Sequence, residues 1–298
     1  SKFIKFMIPA SLALIMGTGA AVFRGLEVST TQNSYDAYIA AAKNSTVKAD
    51  EIENYRRAIN LDPSNSEGYL SLLQDGFLDD GVFTSDESEE LRSVLIDYGN
   101  GSDTNEVVFR QNQRGYDEFA YEAGVAYYYY FEERSNKKNA KSYFEIAAAS
   151  QYLEANQIER ARRLYTISDY YSKIGIVDET GDATVTFRDY WNDLTALSQG
   201  NLVEADNERT ALIMYEELAT QIISRAVDFK NDGVTADEMR AQLANMREHL
   251  GTDFQNVSAG NQAAIQAEIA DLENKIGQAE RMIQSAYGQS GQSEGVQE

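Results

Sequence analysis

Residues 34–65 read SYDAYIAAAKNSTVKADEIENYRRAINLDPSN. Tyr35, Tyr38, Ala41 and Ala42 recur at three- and four-residue steps, the spacing that places side chains on one face of an α-helix. Asn44-Ser45 interrupts the pattern, and Ile52, Tyr55, Ala58 and Ile59 resume it. Leu61-Asp62-Pro63 then ends the second helix, because the residue before a proline avoids the α region. Tyr69, Leu72 and Leu73 start a third helix in the same phase. The rest of the chain fits this reading. Proline breaks helix interiors, and only two occur in 298 residues, against an average usage of about 5%. The sequence predicts an all-α protein.

A second stretch repeats the pattern. Ala120, Ala123, Gly124 and Tyr127 suit a first helix, and Ala140, Phe144 and Ala147 a second one after a longer loop. Small residues at such points let two helix backbones approach closely, and large ones fill the gap between pairs. Both stretches resemble tetratricopeptide repeats, which implies a helical-repeat domain over residues 34–155. A further helical region is expected over 156–287, with helices at about 156–174, 186–199, 205–229, 236–250 and 259–286. Thr84 with Glu87, and Thr235 with Glu238, have the spacing of helix-starting capping boxes. Residues 288–298 are Gly, Ser, Gln and Glu with one Val, the composition of a flexible tail.

The N-terminus has a different character. Residues 6–23 carry no charge and are flanked by Lys2, Lys5 and Arg24. At 1.5 Å per residue this stretch nearly spans the roughly 30 Å hydrocarbon core of a bilayer. We read residues 1–26 as a single transmembrane anchor, with Phe6, Leu12, Leu14, Ile15, Val22 and Phe23 facing lipid. A cleaved signal peptide is the competing reading, since Thr18-Gly19-Ala20 offers small residues at a cleavage point. Residues 27–33 are expected to form a short polar stalk. The lysines favour a cytoplasmic N-terminal side, which places the bulk of the chain outside the cell membrane. The first residue is Ser, so we expect a segment upstream to have been removed.

Charge and composition exclude several chemistries. The chain has 26 Lys and Arg against 48 Asp and Glu, a net charge of -22, which argues against nucleic acid as a partner. It has no Cys and one His, so disulfides, thiol nucleophiles, zinc fingers, iron–sulfur clusters and multi-His metal sites are excluded. Residues 76–87 carry a Gly and a Glu at calcium-loop spacing, but Gly76 and Leu78 stand where oxygen ligands would be needed. No Walker loop, dinucleotide fingerprint or nucleophile elbow occurs. The sequence therefore predicts no cofactor, no metal and no enzyme activity.

The most unusual run is Tyr127-Tyr128-Tyr129-Tyr130-Phe131. Successive helical residues lie about 100° apart, so four tyrosines cover every face. Either they bridge neighbouring helices and leave hydroxyls at the surface, or some of them, with Tyr121, line a groove for a peptide or glycan. Taken together, residues 8–25, Leu61-Asp62-Pro63-Ser64-Asn65, Asp80-Gly81-Val82-Phe83-Thr84, the stretch from Phe119 to Tyr130, and Asp189-Tyr190-Trp191 resemble the tetratricopeptide-like extracytoplasmic half of Firmicutes membrane proteins akin to eukaryotic-like Ser/Thr kinases. The kinase motifs themselves are absent from these residues. The resemblance implies a membrane-anchored module that binds a protein, peptide or cell-wall ligand, as the sensor half of a signalling receptor. The alternative is a homo-oligomeric subunit of a surface filament or membrane assembly built on the hydrophobic N-terminal helix.

Overall fold

A computed structural model describes residues 20–99, 101–173, 176–177, 179–198, 208–252 and 262–288. These residues are helical with connecting turns, and their only strand-like features are two isolated backbone bridges. The chain divides into two compact units, residues 1–153 and 154–298.

The N-terminal unit begins with α1 (Ala20–Lys43), which packs against α2 (Lys48–Leu61). Tyr35, Ile39 and Ala42 meet Tyr55, Ala58 and Ile59 in a buried seam, as the three- and four-residue spacing requires. The polar stretch 27–33, expected as a stalk, is instead part of α1. Ser, Thr and Gln tolerate a helix, and nothing in 27–33 is a breaker. Phe6, Leu12, Leu14 and Ile15 lie outside the described residues, and Val22 and Phe23 stand on α1 with side chains that also lie outside them. Among the described residues no helix is long and apolar enough to cross a membrane.

After Pro63, the Asn65 side chain accepts from the Glu67 amide and starts α3 (Ser66–Ser71), which continues into a π-helical turn over Leu72–Phe77. Next come α4 (Ser85–Ile96), the short α5 (Asn105–Phe109), α6 (Gln113–Val125) with a π-helical turn over Ala126–Tyr130, and α7 (Lys138–Ala148). The Thr84–Glu87 capping box forms at the start of α4. Glu132 adds a second carboxylate there, accepting from the Ser85 amide at 2.7 Å. Backbone pairing of Phe83 with Tyr130 and Glu132 holds that loop in place.

A buried polar knot fixes the turn between α4 and α5. Asn105 is fully buried and donates to Asn60 Oδ1 at 2.7 Å and to the Val94 carbonyl at 2.9 Å. Its Oδ1 accepts from the Gly99 amide at 3.1 Å. A Cβ at Gly99 would lie 2.6 Å from the Asn60 carbonyl oxygen, so only glycine fits there. Every polar group of the Asn105 side chain is thus satisfied, and removing it orphans its partners.

The C-terminal unit holds α8 (Ala155–Lys173), α9 (Phe187–Ser198), α10 (Glu208–Asn231), α11 (Ala236–Thr252) and α12 (Gln262–Gly288). The ends that the described residues include lie within two residues of those expected, and residues 205–207 and 259–261, where two of these helices are expected to start, lie outside the described residues. Glu216 pairs with Lys275, and Lys230 donates to the Ala286 carbonyl, so α10 and α12 run parallel. Arg247 pairs with Glu280 and Tyr287 reaches the Val234 carbonyl, so α11 runs the opposite way. Leu272, Ile276, Ala279 and Ile283 form the buried stripe of α12. Tyr170 and Tyr190 stack at 3.9 Å, and Phe187 and Trp191 surround Phe229 on α10.

The turn between α10 and α11 carries the second capping box. Glu238 accepts from the Thr235 amide at 2.7 Å and from Arg188 on α9 at 2.7 Å. Hydrogen bonding from Arg188, with the Thr235 amide, lowers the Glu238 carboxyl from its ordinary value to about 2. Its stabilisation is therefore present above about pH 4.5, the unfolded value, and is lost as pH falls toward 2.

Two outcomes are expected. Asn105→Ala should cost about 2–4 kcal/mol of unfolding free energy, measured by urea denaturation of the full chain. Glu238→Gln should lower stability by about 1 kcal/mol at pH 7, because the pair is partly solvent-screened, and by almost nothing at pH 2. An equal loss at both pH values would contradict the assigned ionisation.

Candidate functional site

The tyrosine run folds inward. Tyr128 and Tyr129 are fully buried, Tyr127 and Tyr121 nearly so, and Tyr130 is half-buried. This corrects the expectation that these residues line a ligand groove. The π-helical turn at 126–130 is enclosed from several directions at once. Tyr127 stacks on Tyr143 of α7 at 5.8 Å, meets Phe83 edge-on at 4.9 Å and shares a 2.7 Å hydrogen bond with Ser88 of α4. Burial pushes its phenol above the ordinary range. Tyr128 faces Phe144, and Lys137 lies 3.7 Å from its ring centre. The run therefore joins α4, α6 and α7 into one core.

α6 and α7 are antiparallel and very close. A Cβ at Gly124 would lie 2.7 Å from the Phe144 ring. Ala120, Ala123, Ala140 and Ala147 are fully buried beside this contact. The antiparallel approach sets the first turn of α6 against the last turn of α7, and an open cleft of about 340 Å³ lies there.

Its walls come from three elements. Arg110 ends α5, while Gln113, Tyr116 and Asp117 occupy the first turns of α6. Ile146 and Ala149 lie at the end of α7, followed by Gln151 and Tyr152. Asn112 caps α6 by accepting from the Gly115 amide at 3.1 Å, which orients this first turn. The Arg110 guanidinium lies 4.6 Å from the Tyr116 ring centre and donates to Glu106 at 2.8 Å. Tyr116 donates to the same carboxylate at 2.7 Å. Burial, with the Glu106 charge beside it, raises the Tyr116 phenol. Asp117 accepts from Ser150, whose oxygen in turn accepts from the Tyr152 amide at 3.1 Å. Tyr152 donates to Gln113 at 3.2 Å and is 44% exposed. Arg114 stands 5.8 Å from its ring centre.

The cleft thus presents a carboxylate, a guanidinium, two carboxamides and one accessible aromatic ring. This is a binding inventory. Among the described residues no group of three or more His, Asp or Glu is placed to hold a metal ion. His249, on α11, is hydrogen-bonded through Nδ1 to the Tyr215 hydroxyl of α10. None of the cleft residues stands out in the sequence. The Asn112 cap and the end of α7 are readable locally, but their meeting depends on how two helices pair across the seven-residue connection 131–137.

Because the tyrosine run is core, Tyr128→Ala should lower unfolding free energy by about 3–5 kcal/mol in thermal or urea denaturation. Unchanged stability would return Tyr128 to the surface. No protein-family model, curated protein or solved structure matches this chain.

Proposed function

We propose that the chain is a membrane-anchored, extracytoplasmic module of tetratricopeptide-like helical hairpins that binds a protein, peptide or cell-wall ligand, as the sensing part of a signalling receptor. The observation that carries this reading is the α6–α7 hairpin, closed by the Gly124–Phe144 approach and leaving a polar cleft where its helix ends meet. α1 and α2 supply a second hairpin of the same kind, with Ala42 and Ala58 buried in its seam. Hairpins of this type stack side by side and present extended surfaces for partners. The uncharged stretch 6–23 supports the anchor, and the net charge of -22 supports a solvated body held away from anionic lipid and nucleic acid.

Fractionation of cells expressing the full chain tests this directly. The chain should stay in the membrane pellet after an alkaline wash, and protease added outside intact cells should remove the helical units. Recovery in the soluble fraction, or full protection from external protease, would overturn the reading.

A further inference from the structure

The chemistry of the cleft at the meeting of α6 and α7 narrows what it can hold. Its charges are balanced locally. Arg110 is engaged by Glu106, and Asp117 contributes a carboxylate a short distance along α6. A strongly charged ligand of either sign would meet a like charge as well as an opposite one. An apolar ligand would strip water from carboxylate, guanidinium and carboxamides and replace none of their hydrogen bonds, a loss that outweighs contact with Ile146 and Ala149.

Peptides fare poorly for a different reason. An extended peptide needs a free sheet edge and a helical one needs an apolar groove. Among the described residues of the N-terminal unit the one strand-like feature is the single Phe83–Phe131 bridge, and Ile146 and Ala149 are too few to make the cleft an apolar groove. What remains is a neutral molecule rich in both donors and acceptors. Carboxylate, guanidinium and carboxamide groups are planar and can each engage two neighbouring hydroxyls. Gln151 is exposed, and among the described residues its carboxamide has no hydrogen-bond partner, so it is at a ligand's disposal. The accessible ring of Tyr152, held by Gln113, supplies an apolar face against which a sugar ring can lie.

We propose that this cleft binds an uncharged sugar through Gln113, Asp117, Gln151 and the ring of Tyr152. The proposal rests on the reading of the chain as a binding module and names its ligand class. Sugar recognition of this kind is weak per site, as expected for an open cleft whose polar groups face solvent.

The test is a titration of the isotope-labelled full chain with cellobiose, maltose and diacetylchitobiose, followed through side-chain amide resonances. Glucuronate and a blocked dipeptide serve as charged and peptide comparisons. At least one of the disaccharides should shift the Gln113 and Gln151 carboxamide signals. Gln151→Ala and Tyr152→Ala should each weaken that binding about tenfold. Gln151 is exposed and takes no part in the core, so its variant folds. The proposal is overturned if none of the disaccharides shifts these signals, if the shifts survive both substitutions, or if glucuronate or the dipeptide binds more tightly. Such a failure leaves the membrane placement standing, because fractionation does not depend on the cleft.

Discussion

A methyl group does not fit between α6 and α7. That steric limit at Gly124 sets the distance between the two helices, and the rest of the N-terminal unit is arranged around it. With the backbones this close, Phe144 packs against Gly124 itself, Tyr143 reaches both Phe119 and Tyr127, and Ser150 reaches Asp117. The same register brings the helix ends together and opens the cleft. Packing and site are therefore one feature of the fold. Interiors tolerate little change in volume, so a single added carbon at this point propagates along the seam.

Aromatic side chains do much of the work that aliphatic ones do in other helical proteins. Tyr69, Phe109 and Phe119 form a contiguous cluster that leads through Tyr143 and Tyr127 to Phe83. Several buried tyrosines keep a polar partner. Tyr69 donates to the Pro63 carbonyl and Tyr127 pairs with Ser88. Burying a phenol is tolerated when its hydroxyl is satisfied, and each such bond also fixes which neighbour the ring must face. A tyrosine-rich core thereby gains directionality that leucine alone would not supply.

The helices were legible in the sequence because their signals are local. Pro63 ends α2, the boxes Thr84–Glu87 and Thr235–Glu238 start α4 and α11, and the apolar spacing marks the buried faces. The fate of the tyrosine run was not legible. Four consecutive residues on an isolated helix must point to all sides, so burying three of them requires neighbours on several sides. Those neighbours, Phe83, Ser88, Tyr143 and Lys137, are brought in from separate segments. The cleft was illegible for the same reason. Gln113 and Gln151 are 38 positions apart, and neither belongs to a motif. The stretch 27–33, expected as a stalk, lies within α1, because polarity alone does not end a helix.

The close approach of α6 and α7 has a consequence with a definite sign. Replacing glycine by alanine inside a helix ordinarily raises stability by about 0.5–1 kcal/mol, because the unfolded chain loses freedom. At position 124 the added carbon must displace the Phe144 ring, and overpacking of that kind costs about 1–3 kcal/mol. Urea denaturation of the full-length Gly124→Ala variant, followed by tyrosine near-ultraviolet circular dichroism, decides between the two. A lowered midpoint is the result that close packing of the hairpin requires. A midpoint unchanged or raised would mean that the two helices do not touch there, and neither the seam nor the cleft would stand.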